Sequence, residues 1–415
     1  MKIKVSSSLV EFAKLLKNKA DLYIVGGYVR NYLLGISDSE VDLSSKLTLD
    51  KLKAITKNTP FSVKDVNAEL GTALIITKDE TWEYSTFRKE VYAPGGAHTP
   101  KKATFISDVL QDAKRRDFTI NAIYYNINKD ELIDVYSGAL DLKRYILRTI
   151  ETPDFVFEND GLRILRMLRL SAELNLKIER QTYLKAKQMV YRLKDISANR
   201  KMKELDKILN SCSKYKLSKP SAYIKTLNYF NAMGIWSSFF AGSSRIKYNM
   251  VKKASKEYRF IGLLIDLINT VNPDCVSYYL EFVLGKDGLD FSRKQQTELI
   301  AIISGYFDAL SGLSNKKYFF NYYKYFNQIA EILPKTSKRK FKKYNFYYKY
   351  INKFKIPIQV KDIKINGNDL KQHFPDLPQK RYSQVLEEVF NLVYDLKVKN
   401  EKNELLKKVE QIVES

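Results

Sequence analysis

The chain opens with apolar positions at helical spacing. Val10, Ala13, Leu16 and Ala20 fall near one stripe, which predicts an amphipathic helix within residues 1–20. The run Leu22 to Val25 reads as a short strand ending at Gly26-Gly27, and Val29 to Leu34 as a short helix stopped by Gly35. Strand patterns follow at 40–44 (EVDLS), 71–77 (GTALIIT) and 81–87 (TWEYSTF). Strands alternating with helices up to residue 150 predict an α/β head.

Beyond residue 155 strand signals nearly vanish. Residues 157–194 read as helices with Leu162, Leu165 and Leu168 on one stripe, and helical patterns poor in Gly and Pro continue to 355. Residues 356–415 open with an extended segment at 357–366 and close on two amphipathic helices. Val385, Leu386, Val389, Phe390, Leu392, Val393 and Leu396 mark the first of these. No repeat of fixed period occurs. The expected organisation is a head over 1–150, a helical neck over 151–215, a helical body over 216–355 and a helical tail over 356–415.

Composition narrows the function. With 45% hydrophobic residues the chain can bury a core, which excludes a wholly disordered protein. A net charge of +24 favours a polyanionic partner, nucleic acid before an acidic membrane surface. The two cysteines, Cys212 and Cys275, have no CxxC spacing, which argues against a disulfide framework or a zinc site. The two histidines, His98 and His373, exclude a mechanism built on a His cluster, such as a His-Asp metal phosphohydrolase. The N-terminal stretch lacks the apolar core of a secretory signal, and no apolar run is long enough to span a membrane. A cytoplasmic location is expected.

Candidate chemistry lies early in the chain. Glu40 and Asp42 are two positions apart. On a strand such residues share a face, about 6–7 Å apart along the chain. Two carboxylates on one face can hold hard cations such as Mg²⁺ beside phosphate oxygens, the arrangement of two-metal phosphoryl transfer. Asp38, Glu40 and Asp42 also read as a solvated acidic turn. Gly26-Gly27 lies between a strand and a helix, where backbone can approach a triphosphate closely, with Arg30 one turn on. It also reads as an ordinary strand-to-helix turn.

Taken together, these residues resemble a known family. GGYVRNYLLGISDSEVDLSS (26–45) is similar to the signature of polymerase-beta-like nucleotidyltransferases, in particular the class II (bacterial-type) tRNA CCA-adding enzymes and poly(A) polymerases. TFRKEVY (86–92), KRRDFTINAIYYN (114–126), DVYSGALDLKRYILRTI (134–150) and FENDGLRILRMLRLSAELNLKI (157–178) follow in the family's order. KMKELDKIL (201–209) looks like its closing helix motif, and 363–413 resembles the tail unit of the CCA-adding branch. The resemblance implies a polymerase-beta-like α/β head followed by an all-α neck, body and tail.

It also implies roles. Glu40 and Asp42 would be the catalytic pair and bind Mg²⁺, with Glu40 standing where many relatives carry Asp. Gly27 and Arg30 would contact the nucleotide, and Arg116 the triphosphate, with Arg115 as its partner. Asp117 matches an acid assigned a catalytic role in poly(A) polymerases, and a salt bridge to a neighbouring Arg is the alternative. Asp160, Arg163, Arg166 and Arg169 recur at three-residue spacing, and the family uses the first two as a protein template for the base. The chemistry is sound on its own terms. Cytosine and adenine each place an amino donor beside a ring-nitrogen acceptor, so Asp160 can accept while Arg163 donates. Uracil and guanine present the reverse, and a two-point pair discriminates by about 1–3 kcal/mol. Asn159-Asp160-Gly161 stands where relatives carry Glu-Asp-Pro, which predicts a looser helix start because Gly is a poor helix former.

The segment 89–114 is similar in length to the flexible loop of CCA-adding enzymes, and its Pro94-Gly95-Gly96 suits a mobile segment. The resemblance therefore implies untemplated addition of C, C and A from CTP and ATP to the 3′ end of tRNA, at its acceptor stem. The alternatives are a bacterial-type poly(A) polymerase, an A-adding enzyme or an inactive RNA-binding relative. Two Lys/Tyr/Phe stretches, 316–326 and 338–355, would either track RNA or serve as core aromatics with solvated lysines. The sequence sets no oligomeric state.

Overall fold

The computed structural model describes residues 3–36, 40–92, 100–211, 219–243, 245–312 and 321–414. Asp38, His98, Cys212, the Pro94-Gly95-Gly96 turn and residues 316–320 of the first Lys/Tyr stretch lie outside them. The chain divides into two compact units, residues 1–246 with 288–290, and residues 247–287 with 291–415.

The first unit is built on a mixed sheet. Its strands are β1 (Tyr23–Val25), β2 (Asp42–Ser45), β3 (Ser62–Asn67), β4 (Thr72–Ile76), β5 (Thr81–Thr86), β8 (Tyr124–Asn126) and β9 (Glu131–Ile133), in the order β3-β4-β5-β2-β1-β8-β9. Within this sheet only β2 and β5 run parallel. A separate hairpin pairs β6 (Arg88–Tyr92) with β7 (Pro100–Phe105).

One face of the sheet is covered. Helix α1 (Ser7–Leu16), capped by the Ser6 side chain, buries Leu9, Phe12, Ala13 and Leu16. The Phe12 ring lies 4.9 Å from Phe61 and 5.9 Å from Trp82. Helix α3 (Leu49–Thr56) buries Leu49 and Leu52. Alternation decides the rest: Trp82 and Tyr84 are buried while Glu83 between them is exposed, the pattern of a half-covered sheet. The glycine turn feeds α2 (Gly27–Leu33).

The motif at 134–150 is a scaffold. Asp134 accepts from Gly138 N (2.7 Å) and Ala139 N (2.8 Å) at the start of α5 (Gly138–Lys143). Buried Asp141 accepts from Thr119 Oγ1 and Arg148 Nε, both at 2.7 Å. After α4 (Val109–Ala113) and the sheet's end, the chain becomes helical: α6 (Pro153–Asn159), α7 (Leu162–Glu173), α8 (Arg180–Gln188) and α9 (Ala198–Leu209). The predicted stripe Leu162, Leu165, Leu168 is buried on α7.

The second unit is helical in its described residues, with helices Arg259–Val271, Val276–Leu284, Arg293–Ser311, Phe326–Thr336 and Lys338–Lys353. In the last of these Tyr344 and Ile351 are buried, and Phe326 stacks on Tyr344 and Tyr348. Phe346, on another face, is 62% exposed. Helices Gly367–His373, Tyr382–Tyr394 and Lys402–Glu414 share a core of Leu370, Val385, Val389, Phe390, Val393, Leu405 and Val409. Ile363 and Ile365 reach that core from a segment that no strand pairs; its Lys364 N–H donates to the Asn400 side chain at 2.9 Å. Among the described residues no helix is long and apolar enough to cross a membrane.

Candidate active site

The turn after β1 requires glycine at one position. Gly26 has φ +74°, in the left-handed region. A Cβ built there would lie 3.7 Å from an Arg116 nitrogen and 3.8 Å from Asp42 Oδ2, so the turn passes directly over a carboxylate and a guanidinium.

Asp42 is the first residue of β2, opposite Val25 on one side and Glu83 on the other. EVDLS is not a strand from position 40: the ladder begins at Asp42, and Glu40 is exposed ahead of it. The charge of Glu40 is nonetheless felt. Burial first, then Glu83 and Glu40, push the Asp42 carboxyl up to about 6, against the pull of Arg116 and Arg166. Among the described residues, none of these three carboxylates forms a salt bridge. Nor do three acidic, His or Cys side chains already close a metal cage. A carboxylate edge left open and repelling itself suits a hard cation that completes its shell with phosphate oxygens and water.

Other charges around the cavity are already matched. Arg30, buried on α2, donates to Asn31 Oδ1 from Nε (3.0 Å) and Nη2 (2.9 Å), and from Nη1 to Asn121 Oδ1 (2.6 Å). Asn121 Nδ2 donates to Asp117 Oδ1 at 2.9 Å, and Asp117 Oδ2 accepts from Arg166 Nε at 2.8 Å. This relay runs from the glycine turn to α7. Burial alone would raise Asp117, but the Arg166 guanidinium and the Asn121 amide hold it well below the ordinary carboxylate range. The salt bridge expected as one alternative for Asp117 therefore exists, to an arginine far along the chain. Arg116 donates from Nε to the Tyr124 hydroxyl at 2.7 Å, and Arg115 from Nε to Asp112 Oδ1 at 2.8 Å.

Asp160 is not on the helix with the arginines that follow it. It is extended (φ −153°, ψ 103°) in the break between α6 and α7, and its Oδ1 accepts from Leu162 N at 3.0 Å. The break is tight, not loose. A Cβ on Gly161 would lie 2.6 Å from the Arg192 carbonyl oxygen, so only glycine fits against that backbone. Arg163 turns away from direct pairing with Asp160: its Nη2 donates to the Arg115 carbonyl at 2.8 Å. The cation nearest the acid is Arg200 on α9, 3.7 Å from Asp160 Oδ2. Burial pushes the Asp160 carboxyl up to about 6, with Arg163 opposing. Arg169 is saturated, by Glu204 of α9 (2.5 Å) and Glu173 (2.6 Å).

The sequence-derived residues converge. Gly27, Arg30, Glu40, Asp42, Arg116, Asp160, Arg163, Arg166 and Arg169 all line one cavity of about 820 Å³, joined by Arg115 and Asp117. Sequence reasoning missed Glu83, Asn121 and Arg200, which line the same cavity. Glu83 was readable from the alternation in TWEYST, and Asn121 stood inside a quoted block; Arg200 falls just outside one. A smaller cavity of about 290 Å³ adjoins it, sharing Asp42, Glu83, Arg88, Arg115 and Arg116, with Leu74 and Tyr84 also in its lining.

Residues 22–148 match the Poly A polymerase head domain family. The chain is 38% identical over 198 residues to a CCA-adding enzyme of Streptococcus agalactiae serotype V, 47% of either chain. By sequence it thus spans about half the length of the curated relatives it matches. In fold the likeness covers the whole chain. The CCA-adding enzyme of Bacillus stearothermophilus, solved with CTP, superposes with a TM-score of 0.70 at 20% identity, over 98% of this chain and 97% of that one. The Thermotoga maritima CCA-adding enzyme complexed with tRNA gives 0.60 at 22% identity, over 99% and 96%.

Proposed function

We infer that this chain, a member of the bacterial-type CCA-adding enzyme and poly(A) polymerase family, adds C, C and A from CTP and ATP to the 3′ end of tRNA without a nucleic-acid template. Pyrophosphate is the by-product. The observation that carries this reading is the cavity itself. It brings together a carboxylate edge without salt bridges (Asp42, Glu40, Glu83), the part-buried acid Asp160 and several arginines.

A divalent metal, Mg²⁺ in this reading, would be held by Glu40 and Asp42 and would activate the RNA 3′ hydroxyl and offset charge on the leaving pyrophosphate. Glu83, opposite Asp42 on the next strand, adds negative potential that draws the cation in. Backbone at Gly26-Gly27 approaches the triphosphate, and Arg116, with Nε tied to Tyr124 and Nη2 3.6 Å from Asp112, presents Nη1 to it. Asp160 accepts from the exocyclic amine of C or A, and Arg163 donates to the ring nitrogen. Arg166 is oriented by Asp117, and Arg169 fixes α7 against α9. Residues 1–150, 151–215, 216–355 and 356–415 are assigned as head, neck, body and tail, and the tRNA substrate points to the cytoplasm.

Purified protein incubated with Mg²⁺, labelled CTP and ATP, and tRNA lacking its 3′ end should incorporate C and A but not U or G. Absence of incorporation with any divalent metal would remove the enzyme reading. Long A tails on unstructured RNA would select poly(A) synthesis instead.

A further inference from the structure

We propose that Arg200 is a positioning residue for base selection: its guanidinium turns Asp160 toward the nucleotide and keeps one N–H for an acceptor on the bound ligand. This rests on the base-reading role given to Asp160 above.

The geometry starts from helix register. Arg169 of α7 and Glu204 of α9 bond at 2.5 Å, which locks the two helices together. Arg200 lies one turn before Glu204, so it shares that face and points toward the start of α7. There it meets Asp160. One oxygen of that carboxylate is fixed by the Leu162 N–H at 3.0 Å. The other faces Arg200 Nη2 at 3.7 Å, close enough for Coulomb attraction and too long for a hydrogen bond. The carboxylate is thus oriented without its outer oxygen being consumed.

The second feature is Arg200 Nη1. It is buried and has no hydrogen-bond partner, although the rest of the side chain is part-exposed. Leaving a buried donor unmade is costly, more so on a charged group. Arg200 lines the 820 Å³ cavity beside Asp160 and Arg163, so a ligand filling that cavity that draws the guanidinium inward supplies the missing acceptor. None of the neighbouring arginines lies as near Asp160: Arg163 is anchored through Nη2 on the Arg115 carbonyl and keeps other N–H groups for the base, Arg166 bonds Asp117 and Arg169 two glutamates.

Arg200→Ala and Arg200→Lys in the full chain separate the two roles. The measurements are KM and kcat for CTP and UTP on tRNA lacking its 3′ end, metal-free CTP and UTP affinities by calorimetry, and Tm. Arg200→Ala should raise the CTP KM about 10-fold and cut the CTP-over-UTP preference about 10-fold, with little change in kcat, the scale of one charge-assisted hydrogen bond. Arg200→Lys keeps the steering charge but loses the fork, so it should restore the preference while CTP affinity stays low. An unchanged CTP-over-UTP preference in Arg200→Ala overturns the proposal, as does a kcat loss with KM and preference intact. If Arg200→Ala does not fold, the Lys variant decides alone: preference kept with weakened CTP binding supports the assignment, and unaltered CTP binding or lost preference overturns it. Wild-type protein that binds CTP no better than UTP would show instead that the reading of Asp160 has failed.

Discussion

Asp42, part-buried, and Asp117, buried, are acids on the same cavity, and they titrate in opposite directions. Asp42 is pushed up to about 6, while Asp117 is held well below the ordinary range. Burial opposes ionisation in both. Company makes the difference: Asp42 faces Glu83 and Glu40, whereas Asp117 receives Arg166 and Asn121. Asp117 already has its cation. Among the described residues Asp42 has no ion-pair partner within 4 Å, and the repulsion among its carboxylate neighbours is of the kind a bound cation would relieve.

The widest gap between them should appear in activity. Asp42→Ala should lower nucleotide incorporation on the order of 10³-fold or more, the scale for losing a fixed electrostatic group at a transition state. RNA affinity, measured by filter binding, should change little, because removing an acid takes away no cation that could meet the RNA phosphates. Surviving incorporation would show that the metal edge lies elsewhere.

Stability should invert the order. Asp117→Asn strands the Arg166 guanidinium and should destabilise the fold by about 3 kcal/mol, toward the low end for a broken buried pair because Arg166 is 38% exposed. Asp42→Asn removes a repelled charge and should leave stability equal or higher without metal. Chemical denaturation of both variants at neutral pH tests this, and equal destabilisation would erase the contrast.

How much of this was legible in the residues alone follows from what each feature depends on. The head strands at 22–25, 71–77 and 81–87 and the α7 stripe were readable because local period dictates them. Ser62–Asn67 was not, since five of its six side chains are exposed and it shows no apolar alternation. The site residues were legible as a set through their ordered blocks, but not their partners. That Arg166 serves Asp117, or that Arg200 rather than Arg163 lies nearest Asp160, depends on tertiary register that no local spacing encodes. Gly161 shows the same limit. Propensity reads it as a weak helix start, whereas the Arg192 backbone 2.6 Å from its absent Cβ makes it a packing requirement. Gly161→Ala should therefore cost about 1–3 kcal/mol by overpacking, read as a lower Tm, and should loosen nucleotide selection by shifting Asp160. A neutral or stabilising outcome would restore the propensity reading.

The smallest effect is a pH dependence that Asp160 shares with Asp42 and not with Asp117. Both carboxyls have folded values of about 6, above the ordinary 3.8. Between pH 4 and 6 the folded state therefore holds more protons than the unfolded one, and stability falls as pH rises through that window. Asp117 acts with the opposite sign: its contribution is full above the ordinary carboxylate value and is lost only in stronger acid. If Asp160 reads the base as proposed, function should follow it: ionised, it would accept from the amine of C or A; protonated, it would donate, which suits the carbonyl of U. Lowering pH from 7 to about 5.5 should thus erode CTP-over-UTP preference by a few-fold, within the roughly 1–3 kcal/mol that one base contact supplies. Metal-free calorimetric binding of CTP and UTP isolates this from the titration of Asp42. A preference that stays flat through pH 6 while incorporation falls would assign the acid limb to Asp42 alone and leave Asp160 ionised throughout.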